Sequence, residues 1–125
     1  MVKSISLTLA ALLLSICLFV FTERYLDDRF GKFYDAVDTL YEKTEQGKAN
    51  AEDAEAVRTL WATERSRLHV FIPHNDITYV DHRLNTALSY IYTENYSDAL
   101  ANLEVVLQMA KTLPGNYKML SLIHI

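Results

Sequence analysis

The side chains with the widest chemical reach gather around one proline: His69, then His74-Asn75-Asp76 just after Pro73, then Asp81-His82. Imidazoles and carboxylates in one neighbourhood can ligate a divalent metal, hold a small polar ligand or exchange protons. A metal wants three or four converging ligands, with His residues three or four apart on one helix face, and this set lacks that spacing. His74 and Asp81 stand two turns apart on one face, whereas adjacent Asp81 and His82 diverge by ~100° around a helix axis. The spacing favours a structural role: His74, Asn75 and Asp76 cap a helix that starts after Pro73, with Asp76 favoured at the positive end of the dipole. His69, His74, Asp76 and His82 are the candidate ligand or partner contacts. The expectation is no metal, no cofactor and no catalytic residue.

Enzyme signatures are missing from the sequence. It has no Gly-x-Ser-x-Gly, no glycine-rich phosphate loop and no pair of His on one helix face with a Glu between them. Acids such as Glu42, Glu45, Glu52 and Glu55 read as solvated helix faces. Trp61, one turn from Val57, reads as core packing on Phe33 or Tyr41 of an earlier helix. The eight Tyr suit amphipathic edges, with Tyr25 at a membrane interface. The formal charge is −4, and Lys3 is the one charge ahead of the first apolar run, so the remainder is more acidic still. No basic run offers a phosphate-binding face, which argues against nucleic acid. The single Cys, Cys17, rules out an intrachain disulfide and a multi-Cys zinc site.

The elements that must position these residues begin with Ser4 to Thr22, SISLTLAALLLSICLFVFT, nineteen residues without a charge. At ~1.5 Å per residue such a helix just spans a hydrocarbon core of ~30 Å. The run ends in Leu18-Phe19-Val20-Phe21 with no small-x-small cleavage pattern, and Ile16 stands where a lipoprotein signal needs a small residue before its Cys. An uncleaved anchor is expected. Lys3 before the span and Glu23, Arg24, Asp27 and Asp28 after it place residues 1–3 in the cytoplasm, 4–22 in the cytoplasmic membrane and 23–125 outside. An exported domain without a pairable Cys is consistent with a bacterial exterior.

Beyond the span, Leu26, Phe30, Phe33, Val37 and Leu40 alternate steps of four and three, so the helix continues to about Thr44. Gly31 is a mild weakness in it, ~1 kcal/mol relative to Ala. Residues 45–50 form a stop, with Asn50 as N-cap of a second helix that runs through Val70-Phe71-Ile72 to Pro73. A third helix carries Ile77, Val80, Leu84, Leu88 and Ile91 and ends near residues 93–95. A fourth starts with Ser97 as N-cap and is stopped by Pro114-Gly115. The fold class is all-α: an N-terminal transmembrane helix continuing into an up-and-down antiparallel helical bundle of about four helices.

Two resemblances add to this. Tyr90, Tyr96-Ser97-Asp98-Ala99-Leu100 and Leu103 resemble one tetratricopeptide hairpin over about 34 residues, one repeat length. Arg83 and Thr86 depart from its pattern and no second copy follows, so the likeness implies hairpin packing without peptide binding. The layout of the whole chain, with Trp61, Val70-Phe71-Ile72-Pro73-His74-Asn75-Asp76-Ile77, Tyr90-Ile91 and Ala99-Leu100, resembles the domain of unknown function 4363 family. That resemblance implies an all-helical, membrane-attached protein of Gram-positive, often spore-forming bacteria and supplies no activity. The family's Ser-Leu-x-Asn-Ile-like ending is matched here except at His124.

The functional expectation is a non-enzymatic interaction or scaffold module. Its partners would be the lipid bilayer together with a multi-span membrane protein or a second copy, as a homo-oligomer. The alternative is an extracytoplasmic ligand- or metal-sensing domain with its site near His74.

Overall fold

The apolar stripe of the first helix governs the architecture. In a computed structural model, which describes the backbone of residues 2–123 and side chains as far as residue 115, α1 spans Val2–Glu45 without interruption. Its buried residues are Leu26, Phe30, Phe33, Val37, Leu40 and Thr44. That spacing keeps one face of a helix against its neighbours. Thr44 takes the last place in the stripe because its hydroxyl is satisfied within the helix, donating to the Leu40 carbonyl at 2.7 Å.

Three more helices complete a four-helix bundle: α2 (Ala51–Leu68), α3 (His74–Tyr92) and α4 (Tyr96–Ile123). α1 lies between α2 and α4, and α3 closes the ring against the same two. Short turns at 46–50, 69–73 and 93–95 impose the antiparallel order. The all-α bundle expected from periodicity is the one observed, and Ala99 and Leu103 of the α3–α4 hairpin are fully buried.

Local chemistry sets the boundaries, and four differ from the sequence reading. Asn50 does cap α2: its side chain accepts the Asp53 amide at 3.0 Å, and the Asp53 carboxylate accepts the Asn50 amide at 3.1 Å, closing a reciprocal box. α2, however, ends at Leu68 instead of reaching Pro73. A residue before proline is driven out of the helical region, so the chain abandons the helix early. The amides of Phe71 and Ile72 both turn back to the Leu68 carbonyl at 2.9 Å.

Pro73 itself takes the N-cap position of α3 with φ −57° and ψ 145°, and its carbonyl accepts from Asp76 and Ile77. The expected side-chain cap by His74, Asn75 or Asp76 is therefore not formed, although Asp76 keeps its place in the first turn. At α4 the cap is Asn95 and not Ser97. The Asn95 side chain accepts from the Asp98 amide and donates to the Asp98 carboxylate at 2.7 Å.

Pro114 does not stop α4, which runs on to Ile123. An internal proline forfeits one helical hydrogen bond at a cost of ~3 kcal/mol. Pro114 is buried, at a groove that Phe30 and Gly31 of α1 also line, and the helix continues past it. His124 and Ile125, which carry the end of the family-like tail, lie outside the described residues.

Candidate functional site

Because α1 emerges from its apolar segment near Thr22 and α2 runs back antiparallel to it, the α2–α3 turn lies at the end of the bundle next to that apolar segment. The sequence-derived candidates sit here, spread over the surface. His69 and His74 are both exposed on the two sides of the turn, with ring centroids 6.5 Å apart. His74 Nε2 lies 3.4 Å from the Thr78 hydroxyl, one turn along α3. Asp76 is half-buried and His82, two turns further on, is exposed. His69 and His74 are brought near each other. Among the described residues, no three His, Cys, Asp or Glu side chains come close enough to hold a metal ion.

Asp81 turns away from this group toward α2. It accepts the Trp61 indole N–H and pairs with Arg65 at 3.0 Å. Trp61 is buried with its ring 4.7 Å from Phe33, one of the two α1 partners, Phe33 or Tyr41, expected from the sequence. One carboxylate thus ties α3 to α2 while satisfying the polar edge of the aromatic that wedges α2 against α1.

A second polar contact lies deeper. Glu64 is 2% exposed and meets Arg29 of α1 at 3.5 Å, and its Oε2 has no hydrogen-bond partner. Arg29 also lies over the Tyr25 ring, 5.3 Å from its centroid. Tyr25 in turn touches Phe71 of the α2–α3 turn. The sequence reading passed over Glu64 by treating acids as solvated, yet the signal was present. Ala54, Val57, Trp61, Glu64 and Leu68 follow steps of three and four, so Glu64 occupies a core position.

The far end of the bundle is held by matched polar contacts. Lys43 Nζ donates to Asp53 at 2.8 Å. That bond, with the Asn50 amide, holds the Asp53 carboxyl below its ordinary range against the opposing effect of burial. Tyr92 donates to Glu55, which raises its phenol above the usual value. Tyr96 ties the two distal turns together by donating to the Ala49 carbonyl at 2.9 Å. These groups hold helices together at the distal end.

Grooves of the described surface are open and mostly apolar. The one between α1 and α2, about 330 Å³, is lined by Ala36, Leu40, Ala56, Val57 and Leu60, with Lys43 and Asp53 at its rim. Along α1 itself, the 18-residue apolar window is entirely unburied by the rest of the chain, so by length and composition this helix could cross a membrane.

No curated protein and no solved structure matches the chain. The family described as a domain of unknown function (DUF4363) matches residues 20–122, from the last turns of the apolar segment through α4. The match takes in Trp61, the Val70–Ile77 stretch and Ala99-Leu100, the residues that carried the resemblance. The chain belongs to the DUF4363 family.

Proposed function

We propose that this chain is a membrane-anchored helical docking module without enzymatic activity. In this reading residues 4–22 of α1 cross the cytoplasmic membrane once, residues 1–3 stay inside and the bundle stands outside, close to the bilayer. One contrast along α1 carries the reading. Its apolar window buries nothing in the rest of the chain, while the same helix from Leu26 onward forms the bundle core. A helix with no internal cover over such a length needs lipid or another protein around it. Lys3 before the window and the acidic flank after it favour an exported bundle.

The partner is another membrane protein or a second copy of the chain. The α1–α2 groove suits that role because Ala36 and Ala56 let a partner helix approach closely, beside Leu40, Val57 and Leu60. Gentle crosslinking in cells followed by detergent extraction is expected to yield an enriched membrane partner or a covalent dimer. A monodisperse monomer with nothing enriched would overturn the docking role. Orientation is tested separately with a reporter Cys at Lys48, exposed in the distal turn, in a Cys17→Ala background. Labelling of intact cells by a membrane-impermeant maleimide supports an external bundle. Protection until lysis overturns it in favour of a cytoplasmic one.

A further inference from the structure

The α2–α3 turn arranges its apolar residues in an unusual way. Leu68 and Ile72 enter the core, whereas between them Val70 is 80% exposed and Phe71 38% exposed. A turn of five residues facing water would be expected to carry polar side chains at its tip. Here the tip is aliphatic and aromatic, flanked by exposed Arg67, His69 and His74, with no acidic residue between Arg65 and Asp76.

The place of this tip along α1 supplies the explanation. The Phe71 ring lies 5.6 Å from Tyr25, and Tyr25 stacks on Phe21 at 6.2 Å, with the planes 20° apart. Phe21 belongs to the apolar run. Tyr25 is three residues beyond Thr22, ~4.5 Å along the axis. A bilayer carries ~5–7 Å of interfacial headgroup layer on each side of its hydrocarbon core, so Tyr25 and Phe71 fall within that layer. Aromatic rings with cationic neighbours are the side chains that partition there.

We infer that the α2–α3 turn is a second membrane contact, a lipid-binding tip through which Val70 and Phe71 enter the interface of the bilayer crossed by α1. The inference rests on the reading of α1 as a membrane span. A single helix leaves its attached domain free to tilt and to rotate about the helix axis. A second point of contact in the α2–α3 turn, beside α1 and off its axis, restrains both and holds the α1–α2 groove in one orientation relative to the membrane plane. The aromatic ladder Phe21–Tyr25–Phe71 runs unbroken from the span to the tip, and Arg29 over Tyr25 links it to Glu64 in the core.

The test uses the full chain with Cys17→Ala, reconstituted in vesicles of phosphatidylcholine and phosphatidylglycerol. Single cysteines at Val70, at Leu13 and at Lys48 are labelled with an environment-sensitive fluorophore. Nitroxide-bearing lipids then report contact with the bilayer by quenching. The expected result is a blue-shifted, strongly quenched signal at Leu13 and at Val70, with Lys48 unquenched. Quenching at Leu13 with Val70 behaving like Lys48 overturns the tip contact and leaves the anchor standing. A Leu13 signal that is not quenched overturns the anchor, and the tip inference with it. As a second variant, Phe71→Ser with Val70→Ser is expected to keep the circular dichroism of the parent while broadening the tilt distribution seen by a spin label at Lys48. An unchanged distribution overturns the orienting role.

Discussion

The Glu64 carboxylate of α2, almost without solvent contact, faces the Arg29 guanidinium of α1 at 3.5 Å, with one oxygen lacking a hydrogen bond. Removing one partner of a buried ion pair strands the other charge, at a cost of ~3–5 kcal/mol, whereas replacing both with apolar groups is often close to neutral. Arg29→Met is therefore expected to destabilise the bundle more than the double variant Arg29→Met with Glu64→Leu. Urea denaturation of the full chain in detergent, followed by the single Trp, gives the comparison. A double variant destabilised as much as Arg29→Met would show that the stranded Glu64 charge carries no such penalty.

Asp81 provides a related test on the other side of α2. It accepts from the Trp61 indole and pairs with Arg65, so Asp81→Ala leaves a part-buried N–H without an acceptor, at ~1–3 kcal/mol. Trp61→Phe removes that donor and keeps a ring against Phe33. In the Trp61→Phe background the further loss caused by Asp81→Ala is expected to shrink, as measured by thermal melting with circular dichroism. An undiminished loss would assign Asp81 to the Arg65 pair alone.

Two helix ends and one helix interior make predictions of opposite sign. Gly47 and Glu94 both take positive φ, 68° and 59°, where α1 and α3 end. A left-handed residue with a side chain costs ~1 kcal/mol relative to glycine. Glu94→Gly should raise the melting temperature and Gly47→Ala should lower it. Gly31 lies inside α1, and an added Cβ there meets nothing within 4 Å, so Gly31→Ala should stabilise by ~1 kcal/mol. The reverse order in a melting series would contradict the backbone account.

Acid sensitivity follows from Asp53. Its carboxyl sits below its ordinary value in the folded chain, chiefly through the Lys43 bond, so the unfolded chain binds the proton more readily. The stabilisation is complete above the unfolded value of ~3.9 and fades as pH falls through the lower folded value. The difference in urea midpoint between the parent and Lys43→Met should accordingly be largest near neutrality and narrow below about pH 4. A difference independent of pH would mean that Lys43 contributes by packing alone.

Much of this protein was legible as one-dimensional pattern. The steps of four and three from Leu26 to Leu40 specify a buried helix face whatever the neighbours are, and the uncharged stretch from Ser4 to Thr22 specifies an all-round apolar helix. Asn50 three residues before Asp53 specifies a cap through bonds a few residues long. The same register placed Trp61 in the core against Phe33 or Tyr41, and the packing selected Phe33.

Only the tertiary structure decided the rest, because the competing local terms were close in size. Pro114 reads as a stop in an isolated helix, but in the bundle it is buried and α4 continues past it to Ile123. Asp81 lies beside His82 in sequence, yet helix geometry sends the two in different directions and Asp81 joins Trp61 and Arg65 on α2. Whether Val70 and Phe71 belong to a helix or to an exposed tip depended on where α2 yields to Pro73. The position of Phe71 beside Tyr25, level with the end of the apolar segment, depended on the antiparallel return of α2 along α1. Periodicity therefore specified which faces must be buried, and the three-dimensional packing of four helices selected which side chains share each end of the bundle.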